Sequence, residues 1–91
     1  MKKYVIERDI PEAGNMSDAD AAAAAQNSNA ALAQLAPTVQ WQHSLVAGDK
    51  IFCVYLADDE AAIRKHSEIS DIPITAIYPV DRVMDPSSAL V

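Results

Sequence analysis

The chain has 91 residues, the length of one domain, and a formal net charge of −6. That charge repels a phosphate backbone and excludes a nucleic-acid binder built on a basic footprint. One cysteine excludes an intrachain disulfide framework, and an apolar fraction of 51% with only two glycines excludes a disordered tail.

Residues 3 to 10 read as a strand. Tyr4, Ile6 and Ile10 alternate with Val5, Glu7 and Asp9, and Arg8 falls on the first set. Pro11 ends it, because proline donates nothing to a ladder. Residues 11 to 16 form a loop with Gly14-Asn15 as turn chemistry. Ser17 is the expected N-cap of a helix, with Asp20 in the capping-box position and Asp18 suiting the positive end of the dipole. Alanine dominates from Ala19 to Ala36, and such small residues imply close approach to whatever the helix covers. Pro37 stops it.

Residues 39 to 47 and 50 to 57 read as two strands. The short Gly48-Asp49 link pairs them antiparallel. Asp58-Asp59 caps a second helix over Ala61 to Ser70, with Ala62, Ile63, His66 and Ile69 spaced along one face. Residues 74 to 84 read as a fourth strand, which Pro79 confines to an edge or a bulge. A polar tail from Met84 is expected to fray. The order β-α-β-β-α-β predicts an α+β, ferredoxin-like sandwich. Its four-stranded antiparallel sheet has the first and third strands central and both helices on one face. The other face must be solvated, covered by a second subunit or used for binding. A domain this size buries somewhat over ~60% of its unfolded surface, so dimerisation is a natural way to bury more.

Residues 41 to 55 concentrate the unusual chemistry: the only tryptophan (Trp41), phenylalanine (Phe52) and cysteine (Cys53), together with His43. Two registers are open. A two- or four-residue turn sets His43 opposite Val54 and leaves Cys53 on the other face beside Ser44. A three-residue turn sets His43 opposite Cys53 and Trp41 opposite Tyr55, so that imidazole and thiol could meet one metal ion. A one-residue slip flips every side chain, so only one of these holds. A hairpin histidine is more often hydrogen-bonded packing than a ligand, and a lone strand cysteine is more often a small buried hydrophobe.

Glu7 is a carboxylate in an apolar central strand. It implies either a salt bridge to a neighbouring strand or subunit, or an oxygen ligand or general base. His66 faces the sheet from the second helix as a core or rim histidine, and Asp58-Asp59-Glu60 reads as capping. There is no Walker loop, G-x-G-x-x-G, C-x-x-C, H-E-x-x-H or nucleophile elbow, so nothing specifies a catalytic class. Met1-Lys2-Lys3-Tyr4 leads into a charged strand without a signal-peptide h-region. No apolar run approaches the roughly 18 residues of a membrane span. A cytoplasmic protein that engages neither membrane nor nucleic acid is therefore expected.

Four stretches carry a family likeness: Tyr4-Val5-Ile6-Glu7-Arg8, Trp41-x-His43-Ser44, Asp49-Lys50-Ile51-x-Cys53-Val54-Tyr55 and Ala61-Ala62-Ile63-Arg64. From about residue 3 to residue 86 the chain resembles a family of small bacterial ferredoxin-like proteins, largely a domain of unknown function, whose best-described branch is nickel-binding. The alanine-rich first helix and Gln42 depart from the usual pattern. The resemblance implies a cytoplasmic nickel-binding homodimer. The matching positions that could bind the metal are Glu7, His43 and Cys53, with His66 a weaker match. Imidazole, thiolate and carboxylate all suit Ni(II), although Zn(II) and Cu(II) compete for them. The expected function is binding of nickel or another divalent metal for storage, buffering or sensing. The alternative is a small dimeric enzyme or small-molecule-binding module in which Trp41, Tyr55 and His43 line an apolar pocket. A third reading leaves His43 and Cys53 as core residues of a dimer.

Overall fold

The computed structural model describes residues 1–90. Its elements are β1 (Lys2–Asp9), α1 (Asp18–Leu35), β2 (Val39–Ala47), β3 (Lys50–Ala57), α2 (Glu60–Ser70) and β4 (Ala76–Pro79). Short 3-10 turns add Ala13–Asn15 and Pro86–Leu90. The sheet runs β2-β3-β1-β4, with β1 antiparallel to both β3 and β4. The α+β ferredoxin-like architecture and the central pair β1 and β3 are as the sequence predicts.

Local chemistry sets the element ends. The Ser17 hydroxyl accepts from Asp20 N at 3.1 Å to open α1, and the Asp59 carboxylate accepts from Ala62 N at 2.9 Å to open α2. Asp71 closes α2 in the left-handed region at φ 56°. Gly48 takes φ +59° in the hairpin turn, where a side chain would be strained. The segment after β1 is tied to that turn. Ile10 N donates to Asp49 O at 2.8 Å and Gly14 N to Gly48 O at 2.7 Å. A Cβ on Gly14 would stand 3.1 Å from Gly48 O, so the close approach depends on glycine.

One expectation is corrected. The fourth strand is not residues 74 to 84 but Ala76–Pro79, because Pro79 has no N–H to continue the ladder. Beyond it the polar tail includes a 3-10 turn over Pro86–Leu90, where the Asp85 carboxylate accepts from both Ser87 N and Ser87 Oγ.

The core comprises Tyr4, Ile6, Val39, Cys53, Tyr55, Ala57 and Ile63, on the side of the sheet that carries the helices. Ile6 and Ile63 are completely buried, and burial of each stabilises the fold by roughly 1.5–3 kcal/mol. Leu32 and Leu35 at the end of α1 pack against this cluster. The alanine run does not. Of all of α1 only Ser28 and Ala31 are buried, so the N-terminal half of the helix stands away from the sheet. The close approach expected of the alanine-rich helix is replaced, at Ala21, Ala24 and Ala25, by a cavity that they wall.

Candidate functional site

The hairpin combines features of both registers. Its turn is the two-residue one, with Ala47 opposite Lys50, Leu45 opposite Phe52, Ser44 opposite Cys53 and His43 opposite Val54. A β-bulge then accommodates Gln42 as an extra residue, and Trp41 falls opposite Tyr55. Trp41 is thereby turned to the helix side, where its indole Nε1 donates to Ser44 Oγ at 2.9 Å. His43 stays on the opposite, open face. His43 and Cys53 therefore do not face each other, and the version of the site in which they share one ion does not form. The pocket expected from Trp41, Tyr55 and His43 is corrected in the same way: Trp41 and Tyr55 line one, and His43 lies outside it.

The open face carries two of the four candidate metal residues. His43 is exposed on β2, and Glu7 is half-buried on β1, with β3 between them. Two strand spacings separate the strands that carry them, roughly 10 Å. Glu7 is already engaged. Lys50 Nζ donates to its Oε2 at 2.8 Å and the Tyr78 hydroxyl to its Oε1 at 3.2 Å, while Lys50 also pairs with Asp9. Lys50 holds the Glu7 carboxyl below its usual range against the opposing effect of desolvation. The Asp9 and Glu7 carboxylates in turn push the Lys50 ammonium up. This is the cross-strand salt bridge that the sequence offered as one reading of Glu7. Around it Val5, Phe52, Val54 and Leu56 are half-buried, and Leu45 and Tyr78 are exposed, which makes an apolar patch without a helix over it.

The helix side carries the other two. Cys53 is buried in the core, and His66 is completely buried in α2. The His66 ring packs 5.3 Å from the Tyr55 ring, its Nε2 meets Ser28 Oγ at 3.2 Å, and its Nδ1 has no partner. Burial pushes the imidazole below its usual value, and the Arg8 charge adds to that. Arg8 is 1% exposed. Its Nη1 donates to Ser67 Oγ at 3.0 Å, Pro73 O at 2.9 Å and Ile72 O at 3.3 Å, all neutral acceptors. Its Nη2 has no partner, and no carboxylate pairs with it among the described residues. A fixed, buried guanidinium charge opposes a second cation beside it. Sequence reasoning set Arg8 among the inward residues of β1 but did not count it as a site residue. The signal was its place in the alternation with Tyr4, Ile6 and Ile10, which commits a charge to the core.

Arg8, Tyr55, Cys53 and Ser28 line a cavity of about 690 Å³ between the N-terminal half of α1 and the sheet. Ala21, Ala24 and Ala25 form one wall, Trp41 and Ile51 lie on the sheet side, and the Ala13–Asn15 turn helps to frame the space. Among the described residues no three His, Cys, Asp or Glu side chains cluster to hold a metal ion.

These features define a small ferredoxin-like α+β domain with one sheet face uncovered and a cavity under the other. The chain belongs to the SCO4226-like family, described as nickel responsive protein, whose model matches residues 4–80. The fold is similar to the crystal structure of SCO4226 from Streptomyces coelicolor A3(2), with a TM-score of 0.76 and 13% identity over 90% of this chain and 99% of that one. No match was found among curated protein sequences. No helix among the described residues is long and apolar enough to cross a membrane.

Proposed function

We propose that the protein binds Ni(II) in a nickel response, as a dimer formed through the open sheet face, with His43 the leading ligand. The observation that carries this reading is the family match over residues 4–80. The placement of the donors directs the ion to that face. His43 is the solvent-exposed imidazole of the two, whereas His66 and Cys53 share their compartment with the Arg8 cation. Imidazole nitrogen and carboxylate oxygen both suit Ni(II). Glu7 contributes only if the ion displaces Lys50 and Tyr78 from its carboxylate. A second copy doubles the donor set and covers the apolar patch of Val5, Phe52, Val54 and Leu56, and water fills the remaining coordination positions. Buffering and sensing both follow from an exposed, incomplete site that exchanges its metal readily. Storage asks for a closed one.

Calorimetric titration of tag-free protein with Ni(II) tests the proposal, with sedimentation velocity for the dimer. Binding should be tighter than about millimolar, that is, more favourable than about −4 kcal/mol. It should fall in His43→Ala and persist in His66→Ala. No binding in that range, or affinity unchanged in His43→Ala, would overturn the assignment.

A further inference from the structure

We propose that the cavity between α1 and the sheet is a binding site for a small, largely apolar molecule carrying one carboxylate, with Arg8 as its counter-ion. The cavity, at about 690 Å³, lies in the range of small-molecule pockets. Its charge is the informative part. Arg8 is 1% exposed and has only neutral acceptors on Nη1 and none on Nη2. Buried charges are ordinarily paired, and this one is not. Nη2 is covered by its neighbours, so a ligand carboxylate that shifts the side chains over it would supply the missing partner in a charge-assisted hydrogen bond. Tyr55 and Ser28 line the same cavity as Arg8.

The rest of the lining fixes the chemical class. Ala21, Ala24, Ala25, Trp41 and Ile51 present hydrocarbon and an indole, which suits an alkyl or aryl body. Glu12 and Asp20 also line the cavity, exposed and making no ion pair with Arg8, and they oppose a multiply charged anion such as a phosphate ester more strongly than a single carboxylate. The guanidinium opposes a metal cation at its own end of the cavity. This inference stands apart from the nickel reading, since the cavity lies on the other side of the sheet from His43.

Trp41, the single tryptophan, lines the cavity and reports on it. The full chain, tag-free and in EDTA to remove metal, is titrated with octanoate and benzoate and with their neutral amides, following Trp41 emission. The carboxylates should give saturable changes, and the amides should bind about tenfold or more weakly, because the charge-assisted bond is lost. Ala25→Phe should narrow the cavity and weaken the response to octanoate with Arg8 untouched. Arg8→Met should abolish the preference for carboxylate over amide. If Arg8→Met does not fold, the acid-to-amide ratio on the native chain and Ala25→Phe decide the matter. No saturable response to either acid, equal affinity for acid and amide, or full binding by Ala25→Phe would overturn the proposal. Calorimetry with Ni(II) in place of EDTA tests the other site separately.

Discussion

Ala25 and Ala31 lie on the same helix, yet enlarging each to leucine should have opposite consequences. Ala31 is 1% exposed and sits in the packed part of α1, whereas Ala25 is half-buried and faces the cavity. Overpacking at a filled position typically costs 1–3 kcal/mol, so Ala31→Leu should destabilise by about 2 kcal/mol. Leucine adds three carbons, worth about 0.8 kcal/mol each if fully buried, or about 2.4 kcal/mol at most. Partial burial at position 25 reduces that gain to about 1 kcal/mol, and alanine's slightly better helix propensity takes little from it. The two variants should therefore differ by about 3 kcal/mol, which for a domain of this size separates their Tm values by roughly 12–24 °C. Urea denaturation followed by circular dichroism measures the difference directly, with equal m-values as the control that both variants unfold from a native state. If Ala25→Leu proved as destabilising as Ala31→Leu, α1 would be packed on the sheet along its whole length. The cavity would then be absent in solution.

Three further outcomes follow from the same geometry. His66 is held below its usual value of 6.5, first by burial and then by the Arg8 charge, so the unfolded chain takes up its proton more readily than the folded one. Its contribution is thus fully present above pH 6.5 and is lost as the pH falls below it, by at most about 1.4 kcal/mol per pH unit. Urea midpoints between pH 7.5 and 5.5 should show that slope, and His66→Asn should flatten it. Deleting Gln42 removes the extra residue of the bulge while keeping Trp41 opposite Tyr55 and His43 opposite Val54. The deletion should fold and cost no more than about 1 kcal/mol, a cost typical of a mild point change; an unfolded product would mean that the bulge itself sets the sheet's shape. Ile63→Ala empties a fully buried core position and should lower stability by roughly 3 kcal/mol in the same urea assay.

The fold was largely legible because its signals are local. Ser17 and Asp59 announce their helices, Gly48-Asp49 announces the hairpin, and the alternation in residues 3 to 10 separates the two faces of β1. The hairpin's second half was not legible in the same way. A bulge changes which face a side chain takes without changing composition or periodicity in any clear manner, and here it turns Trp41 inward while His43 stays out. The cavity was hidden for a related reason. An alanine run is equally compatible with close packing and with a helix that stands away. What decides between them is the geometry of α1, which meets the core only from Ser28 onwards. Of the candidate metal residues, pattern alone could place Glu7 on the face opposite Arg8, but the capture of its carboxylate by Lys50 depends on the β1–β3 register, which sets Glu7 opposite Phe52 and Asp9 opposite Lys50.

The chemistry of the molecule is divided by a single strand. Glu7 and Arg8 are neighbours in sequence, yet strand alternation sends the carboxylate to the open face and the guanidinium into the helix-side compartment. The open face carries the exposed His43 and a Glu7 carboxylate already paired with Lys50, and the helix side carries the buried Arg8 without a carboxylate partner. On the two proposals made above, the sheet would separate a metal cation from a carboxylate ligand without any motif for either. Exchanging the two residues, as Glu7→Arg with Arg8→Glu, would keep the net charge at −6 while setting a carboxylate against neutral carbonyls in the core. Carbonyl oxygens accept hydrogen bonds and donate none, so the buried carboxylate would lose every partner that Arg8 now has except the Ser67 hydroxyl. The exchange should abolish folding, whereas replacing Glu7 by glutamine alone should be tolerated. A folded double exchange would show that the polarity of the two faces is not what fixes the register of β1.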